Sequence, residues 1–306
     1  MKNLKNISSF LVLTLVIALF TACGTKETPN KNDGANTNNP AKETTNTSDE
    51  GNTGDEGNTN NLAEIVVGAS IEPHASILNS DAVKKSLEEQ GYKIKVVEYT
   101  DYIQPNVATT DGSLDANFFQ HTPYLNDYNE KNGTVLKAVA NIHFEPLGIY
   151  PGKSSSLTEL ADGAQIAVPN DATNEARALL LLEKAGLIKL NENASLDATI
   201  NDIVENPKNL KIVEIEAAQT AKALRDVDLA VINGNYALLE GLTASKDALL
   251  VEDVESEAAY IYANILVVNE GNEESDKTRA LIKAVTSEET KTFIKDNWQG
   301  AVVPVF

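Results

Sequence analysis

The sequence has one cysteine, Cys23, so no internal disulfide can form and a zinc site built on several cysteines is unavailable. The core alone must hold the fold. Positive charge is scarce. Lys plus Arg number 25 against 45 Asp plus Glu, leaving a formal charge of -20, which argues against a nucleic-acid partner and against a broad docking face for anionic lipid. Gly-x-Ser-x-Gly, Gly-x-x-x-x-Gly-Lys-Ser/Thr and Gly-x-Gly-x-x-Gly are all missing, and with them the sequence signatures of many hydrolases, NTPases and dinucleotide enzymes. No catalytic residue, metal or cofactor is expected. No apolar run after the first 20 residues is long and uncharged enough to span a bilayer.

What is present begins with a targeting pattern. Lys2 and Lys5 precede a 14-residue apolar stretch, Ile7–Phe20, and the small residues Thr21 and Ala22 lead to Cys23. This resembles a lipoprotein signal, with residues 1–22 removed and Cys23 acylated; an ordinary signal peptide or an uncleaved anchor is the alternative. From Gly24 to Asn61 the composition falls to Asn, Thr, Gly, Glu and Asp, which cannot bury enough surface to fold. Residues 23–61 are therefore expected to be an acylated, disordered tether.

From Leu62 onward, short apolar runs alternate with helical patterns. Glu64–Ala69, Lys93–Tyr99, Ala116–Phe119, Thr134–His143, Gln165–Val168, Leu210–Ile215, Asp228–Ile232 and Tyr260–Val268 read as strands. Helices are predicted over Pro73–Gln90, from a Thr122 cap to Asn132, through the leucine-rich stretch ending at Ala185, around Ala217–Leu224, and twice between Glu274 and Asn297. Such alternation defines an α/β protein with mainly parallel sheets covered by helices. The 245 residues are comfortable for two lobes.

In open α/β sheets, ligands lie beyond the carboxyl ends of strands. Those exits carry His74, Tyr102, Phe119, His121, Tyr124, Asn174 and Asn233, groups suited to binding and poor at covalent chemistry. Arg177, one of three arginines, sits near a helix start, where a cation opposes the helix dipole. It fits a bidentate clamp for a carboxylate; pairing with Glu175 or a solvent-facing position is the bland alternative. Glu145 is a candidate partner for an ammonium, or else a solvated loop carboxylate. Tyr102, Phe119 and Tyr124 could enclose an apolar or thioether side chain, or simply pack in the core. His74, His121 and His143 are the only histidines, and their spacing carries no metal-ligand signature. These residues alone point to a binder of a small zwitterion.

Five segments carry a more specific likeness: DYIQPN (Asp101–Asn106), LDANFFQHTPYL (Leu114–Leu125), VPNDATNEARALLLLEKAGLIKL (Val168–Leu190), ENPKNLKIVEIEAAQ (Glu205–Gln219) and DLAVINGNYA (Asp228–Ala237). Together they resemble the NlpA-type methionine-binding lipoproteins of ABC importers, over essentially all of residues 62–306. The resemblance implies a two-lobed periplasmic-binding-protein fold with a mixed, mainly parallel sheet in each lobe and a ligand cleft between them. Lobe 1 would comprise 62–148 plus 256–306, and lobe 2 149–255.

The resemblance also implies a lipid-anchored, extracytoplasmic solute-binding protein, not an enzyme. It would capture methionine or a close analogue as a monomer and deliver it to a permease driven by a separate ATPase. Ligand contacts carried over by motif are Tyr102, Phe119, His121, Tyr124, Asn174, Arg177, Asn233 and Asn264, with Glu145, Asn170 and Tyr236 as further candidates. The alternatives are a methionine-containing dipeptide, another small amino acid, or a transition-metal ion.

Overall fold

Two sheets account for most of the strands, and the chain passes between them twice. In the computed structural model residues 62–306 are described; the signal segment, Cys23 and the tether lie outside the described residues. The chain first forms β1 (Ala63–Ser70), β2 (Tyr92–Tyr99), β3 (Ala116–His121) and β4 (Lys137–Phe144). It crosses through Glu145–Leu147 and builds β5 (Gly148–Pro151) and β6 (Gln165–Pro169). A two-stranded ribbon follows, β7 (Lys189–Leu190) with β8 (Ile203–Glu205), and then β9 (Lys211–Ile215), β10 (Leu229–Ile232) and β11 (Leu250–Val251). After a second crossing it returns with β12 (Asn264–Val268) and β13 (Val303–Pro304).

The first sheet has the order β13-β4-β12-β3-β1-β2 and the second β11-β5-β10-β6-β9. Both are mixed. β1 runs parallel to β2 and β3, and β6 parallel to β9 and β10. The strands next to the crossings supply the antiparallel pairings: β12 lies between β3 and β4, and β5 between β10 and β11. A chain that must leave a sheet and re-enter it brings its return strand in reversed, so sequence alternation under-represents these ladders. Among the described residues no helix is long and apolar enough to cross a membrane.

Each sheet has its own core. Ile65, Val67, Phe118, Ile142 and Leu266 pack with Val83, Leu87, Leu281 and Val285 of the covering helices. Ile149, Ile166, Val168 and Val231 pack with Leu179 and Leu182 of the leucine-rich helix. Truncating a fully buried ring such as Phe118 would cost about 3–5 kcal/mol.

Three elements differ from the sequence pattern. The predicted helix over Pro73–Gln90 is broken into a turn at Ile71–Ala75, Ser76–Leu78 and a helix at Asp81–Glu89, because Ser80 caps the last of these by accepting from the Val83 N–H at 3.3 Å. The cap of the Thr122–Asn132 helix is His121, not Thr122: its Nδ1 accepts from the Tyr124 N–H at 3.2 Å. Tyr260 belongs to a helical turn, Glu257–Ile261, and the strand begins only at Asn264. Elsewhere Gly133 and Gly186 end their helices at positive φ, which only glycine adopts without strain.

Candidate functional site

The register of the first sheet assembles one edge of the site. Asn264 pairs with His121 on one side and His143 on the other, so three polar residues form a single row across β3, β12 and β4. The row exists because both outer strands carry extra residues. Phe119 in β3 and Ile142 and Val139 in β4 have no partner on β12. Such bulges re-aim the side chains around them.

A hollow lies between this row and the loops of the second sheet. Its cavity volume is only about 20 Å³, on the order of one water site, so its walls already lie close together. The structure brings all the motif-matched residues together here: Tyr102, Phe119, His121, Tyr124, Asn174, Arg177, Asn233 and Asn264, with Glu145. Gln120, which the strand-exit rule also picks out, lines it too, as do Gly234 and Asn235, which the sequence reading missed. Their signal was adjacency, since each is next to or near a residue already singled out. Asn170 is exposed and does not line the hollow, and Tyr236 stacks behind Tyr102 at 5.0 Å between ring centres.

One wall is aromatic. Tyr102 lies 5.8 Å from both Phe119 and Tyr124, and Phe119 6.0 Å from Tyr124. Edge and tilted contacts of this kind hold the rings in place while leaving their faces apolar. The Tyr102 hydroxyl donates to Asn235 Oδ1 at 2.6 Å, and the Tyr236 hydroxyl to the Thr100 carbonyl at 3.2 Å, so loops of the two sheets are tied across the hollow. Burial pushes the Tyr102 phenol well above its usual range, and it stays a neutral donor.

The opposite wall is polar. Arg177 lies buried on the Ala172–Lys184 helix, whose cap is Asp171. Its Nε donates to Glu252 Oε1 at 2.8 Å and its Nη2 to Glu252 Oε2, while Nη2 also donates to the Glu145 carbonyl at 2.8 Å. The guanidinium stacks 4.5 Å over the Tyr262 ring. Glu175, the partner suggested by sequence, instead accepts from the Ile200 N–H at 3.2 Å. Arg177 therefore holds residues of both crossings, and its Nη1 has no hydrogen bond among the described residues.

Asn174 Oδ1 accepts from Asn233 Nδ2 at 2.8 Å and lies 3.3 Å from His121 Nε2. That leaves Asn233 Oδ1 buried without a donor. An orphaned acceptor costs about 1–3 kcal/mol unless something donates to it, so this oxygen is open to a donor in the hollow. Asn264 Oδ1 faces His74 Nε2 at 2.9 Å and can only accept from it.

Glu145 is buried, where burial pushes its carboxyl up and the nearby His74 and Arg177 pull it back. A Cβ at Gly234 would stand 2.7 Å from Glu145 Cβ and 2.9 Å from its Oε2, so glycine is required there. Two of the three histidines, His74 and His143, converge on Glu145, with one ligand atom from each group lying within 4.8 Å of the others. His121 is apart from them, occupied by the helix cap and Asn174.

The arrangement offers donors from Arg177 and Asn264, acceptors from Glu145 and Asn233, and an apolar wall, without an activated nucleophile. The fold and hollow are those of a two-lobed solute-binding protein. The NlpA lipoprotein family matches residues 65–306, and the chain belongs to that family. It is 44% identical over 224 residues to the D-methionine-binding lipoprotein MetQ of Escherichia coli K12, covering 72% of this chain and 81% of that one. The crystal structure of a nutrient-binding protein from Burkholderia cenocepacia bound to methionine is 43% identical, with a TM-score of 0.75 over 79% of this chain and all of that one. An ABC transporter periplasmic substrate-binding protein from Coxiella burnetii is 41% identical, with a TM-score of 0.73 and the same coverage.

Proposed function

We propose that this protein is the extracytoplasmic, lipid-anchored component that captures methionine and hands it to an ABC permease driven by a separate ATPase. The observation that carries the reading is the pairing of three rings, Tyr102, Phe119 and Tyr124, with a zwitterion-shaped set of polar groups in one small hollow. In this reading Arg177 Nη1 and Asn264 receive the carboxylate, Glu145 and Asn233 Oδ1 receive the ammonium, and the rings enclose the thioether. His121 and Asn174 orient that polar wall.

Residues 62–148 with 256–306 act as one lobe and 149–255 as the other, bending at the two crossings that Arg177 joins. Residues 1–22 are the signal and Cys23 the acylated anchor, with residues up to 61 as tether. The resulting protein works as a monomer at the outer face of the membrane and performs no chemistry on its ligand.

The direct test is native mass spectrometry of the purified protein, followed by calorimetry with methionine. A bound mass of methionine and a saturable heat are expected. Absence of both, with tight binding of a different solute class, would sink the reading. For the anchor, a mature protein whose mass lacks diacylglycerol or retains Met1 would refute acylation at Cys23.

A further inference from the structure

Two imidazoles stand behind the hollow without lining it. His74 is 1% exposed and His143 0%, and both rings pack against Phe118, at 4.7 and 5.3 Å, and against each other at 4.9 Å. His143 Nε2 lies 2.7 Å from Glu145 Oε1. His74 Nε2 lies 2.9 Å from Asn264 Oδ1 and 3.4 Å from the same Glu145 oxygen. In each ring Nδ1 is buried and makes no well-formed hydrogen bond, with the Glu72 backbone the nearest candidate at His74.

These contacts fix protons. A ring nitrogen facing a carboxylate oxygen or two oxygens must carry the hydrogen, and a neutral imidazole has only one. Both rings are therefore Nε2–H tautomers with bare Nδ1. Burial keeps them uncharged, at about 4 for His74 and about 3 for His143. A neutral donor can hold a carboxylate in place without cancelling its charge, which Lys or Arg in the same position would do. Since His74 donates, Asn264 must turn its carbonyl inward, and its Nδ2 is left for the hollow.

We infer that His74 and His143 are positioning residues that set the polarity of the hollow, holding Glu145 as an acceptor and Asn264 as a donor, so that an α-amine on the ligand is a condition of tight binding. The inference rests on the amino-acid reading above and deepens it. The ligand class is the free α-amino acid, and acids lacking the amine are rejected.

The experiment compares methionine with 4-(methylthio)butanoate, which lacks only the amine, by calorimetry on the full chain. Wild type should prefer methionine by about ten- to a hundredfold, the worth of a charge-assisted pair. His143→Leu should shrink that preference to a few-fold by weakening methionine much more than the amine-free acid, and Glu145→Gln should shrink it at the acceptor itself. His143→Gln, which restores an N–H donor, should recover most of it. His74→Leu should weaken both ligands, because it also releases Asn264, the donor to the carboxylate. Equal losses for both ligands in His143→Leu would mean that this imidazole merely supports the fold, and would overturn the inference.

Should the leucine variants not fold, nitrogen-15 NMR of the wild-type histidines decides, because the chain has only three. Nε2–H tautomers are expected for all three rings at neutral pH, with Nδ1 accepting from Tyr124 in His121 and bare in the other two, and a bare Nε2 in His74 or His143 would overturn it, as would stoichiometric Zn²⁺ binding that His143→Leu abolishes. If wild type binds no methionine, the functional reading fails, and the tautomers still decide the role of the imidazoles.

Discussion

Arg177 meets Glu252 through two parallel hydrogen bonds, and Glu252 also accepts from the Leu147 N–H at 2.8 Å. One buried ion pair thereby clasps the first crossing to the second. Arg177→Ala is expected to lose about ten- to a hundredfold in methionine affinity. It should also lose about 3–5 kcal/mol of stability, because Glu252 is left as an unpaired, mostly buried charge. Calorimetry and urea melts separate the two losses. Full affinity in the variant would take Arg177 out of the binding site. Arg177→Lys should rescue little, since an ammonium cannot reproduce the fork.

Tyr102 contributes a ring and a hydroxyl, which two substitutions can distinguish. Tyr102→Phe removes only the bond to Asn235, worth about 0.5–1.5 kcal/mol, and affinity should fall by less than about tenfold. Tyr102→Ala also removes the ring that contacts Phe119, Tyr124 and Tyr236, and should bind much more weakly. Equal affinities for the two variants would show that the ring itself adds nothing.

All three histidines are buried and held below their ordinary value, to about 4, 3 and 3 for His74, His121 and His143. The unfolded chain takes up these protons near pH 6.5 and the native protein does not. Stability is therefore full above about pH 6.5 and declines as pH falls toward 4, by up to about 1.4 kcal/mol per pH unit for each ring. The upward shift of Glu145 acts in the opposite sense and offsets part of this. The midpoint of thermal unfolding should drop between pH 7 and 5, with a shallower slope in His143→Gln. Identical slopes for wild type and His143→Gln would show that this ring is not buried neutral.

Glu175 titrates the other way. Burial and the neighbouring Glu214 carboxylate raise it to about 7. Between about pH 4.5 and 7 the native protein holds a proton that the unfolded chain releases, so this group's stabilising contribution is full below about pH 4.5 and is lost progressively as pH rises to about 7. Glu175→Gln should raise the unfolding midpoint at pH 8, by about 1–2 kcal/mol in stability, and change it little at pH 5. A variant less stable than wild type at pH 8 would contradict this account.

Much of the site was legible because the strand-exit rule is local. Phe119 and His121 lie at the end of β3 and Tyr124 just after it, Asn174 and Arg177 follow β6, and Asn233 follows β10. What stayed hidden depended on distance along the chain. Glu252 stands 75 residues from Arg177, and no periodicity connects them. His74 reaches Asn264 across 190 residues. The predicted strand from Tyr260 missed the helical turn before Asn264 because Tyr-Ile-Tyr has strong strand propensity, and tertiary context overrode it. The antiparallel ladders were equally invisible, since strand direction depends on how the crossings route the chain.

The unpaired Phe119 has one more consequence. Side chains along a strand alternate faces, so parity decides which of His121 and Gln120 meets the ligand's side. Gln120 is now occupied by buried amides, accepting from Asn106 at 3.0 Å and donating to Asn117 at 2.9 Å. Deleting Phe119 would leave Gln120 opposite Ile265 and His121 opposite Asn264, and would remove one ring from the apolar wall. The irregular ladder is what lets this strand offer a ring to the hollow without displacing the imidazole two positions on.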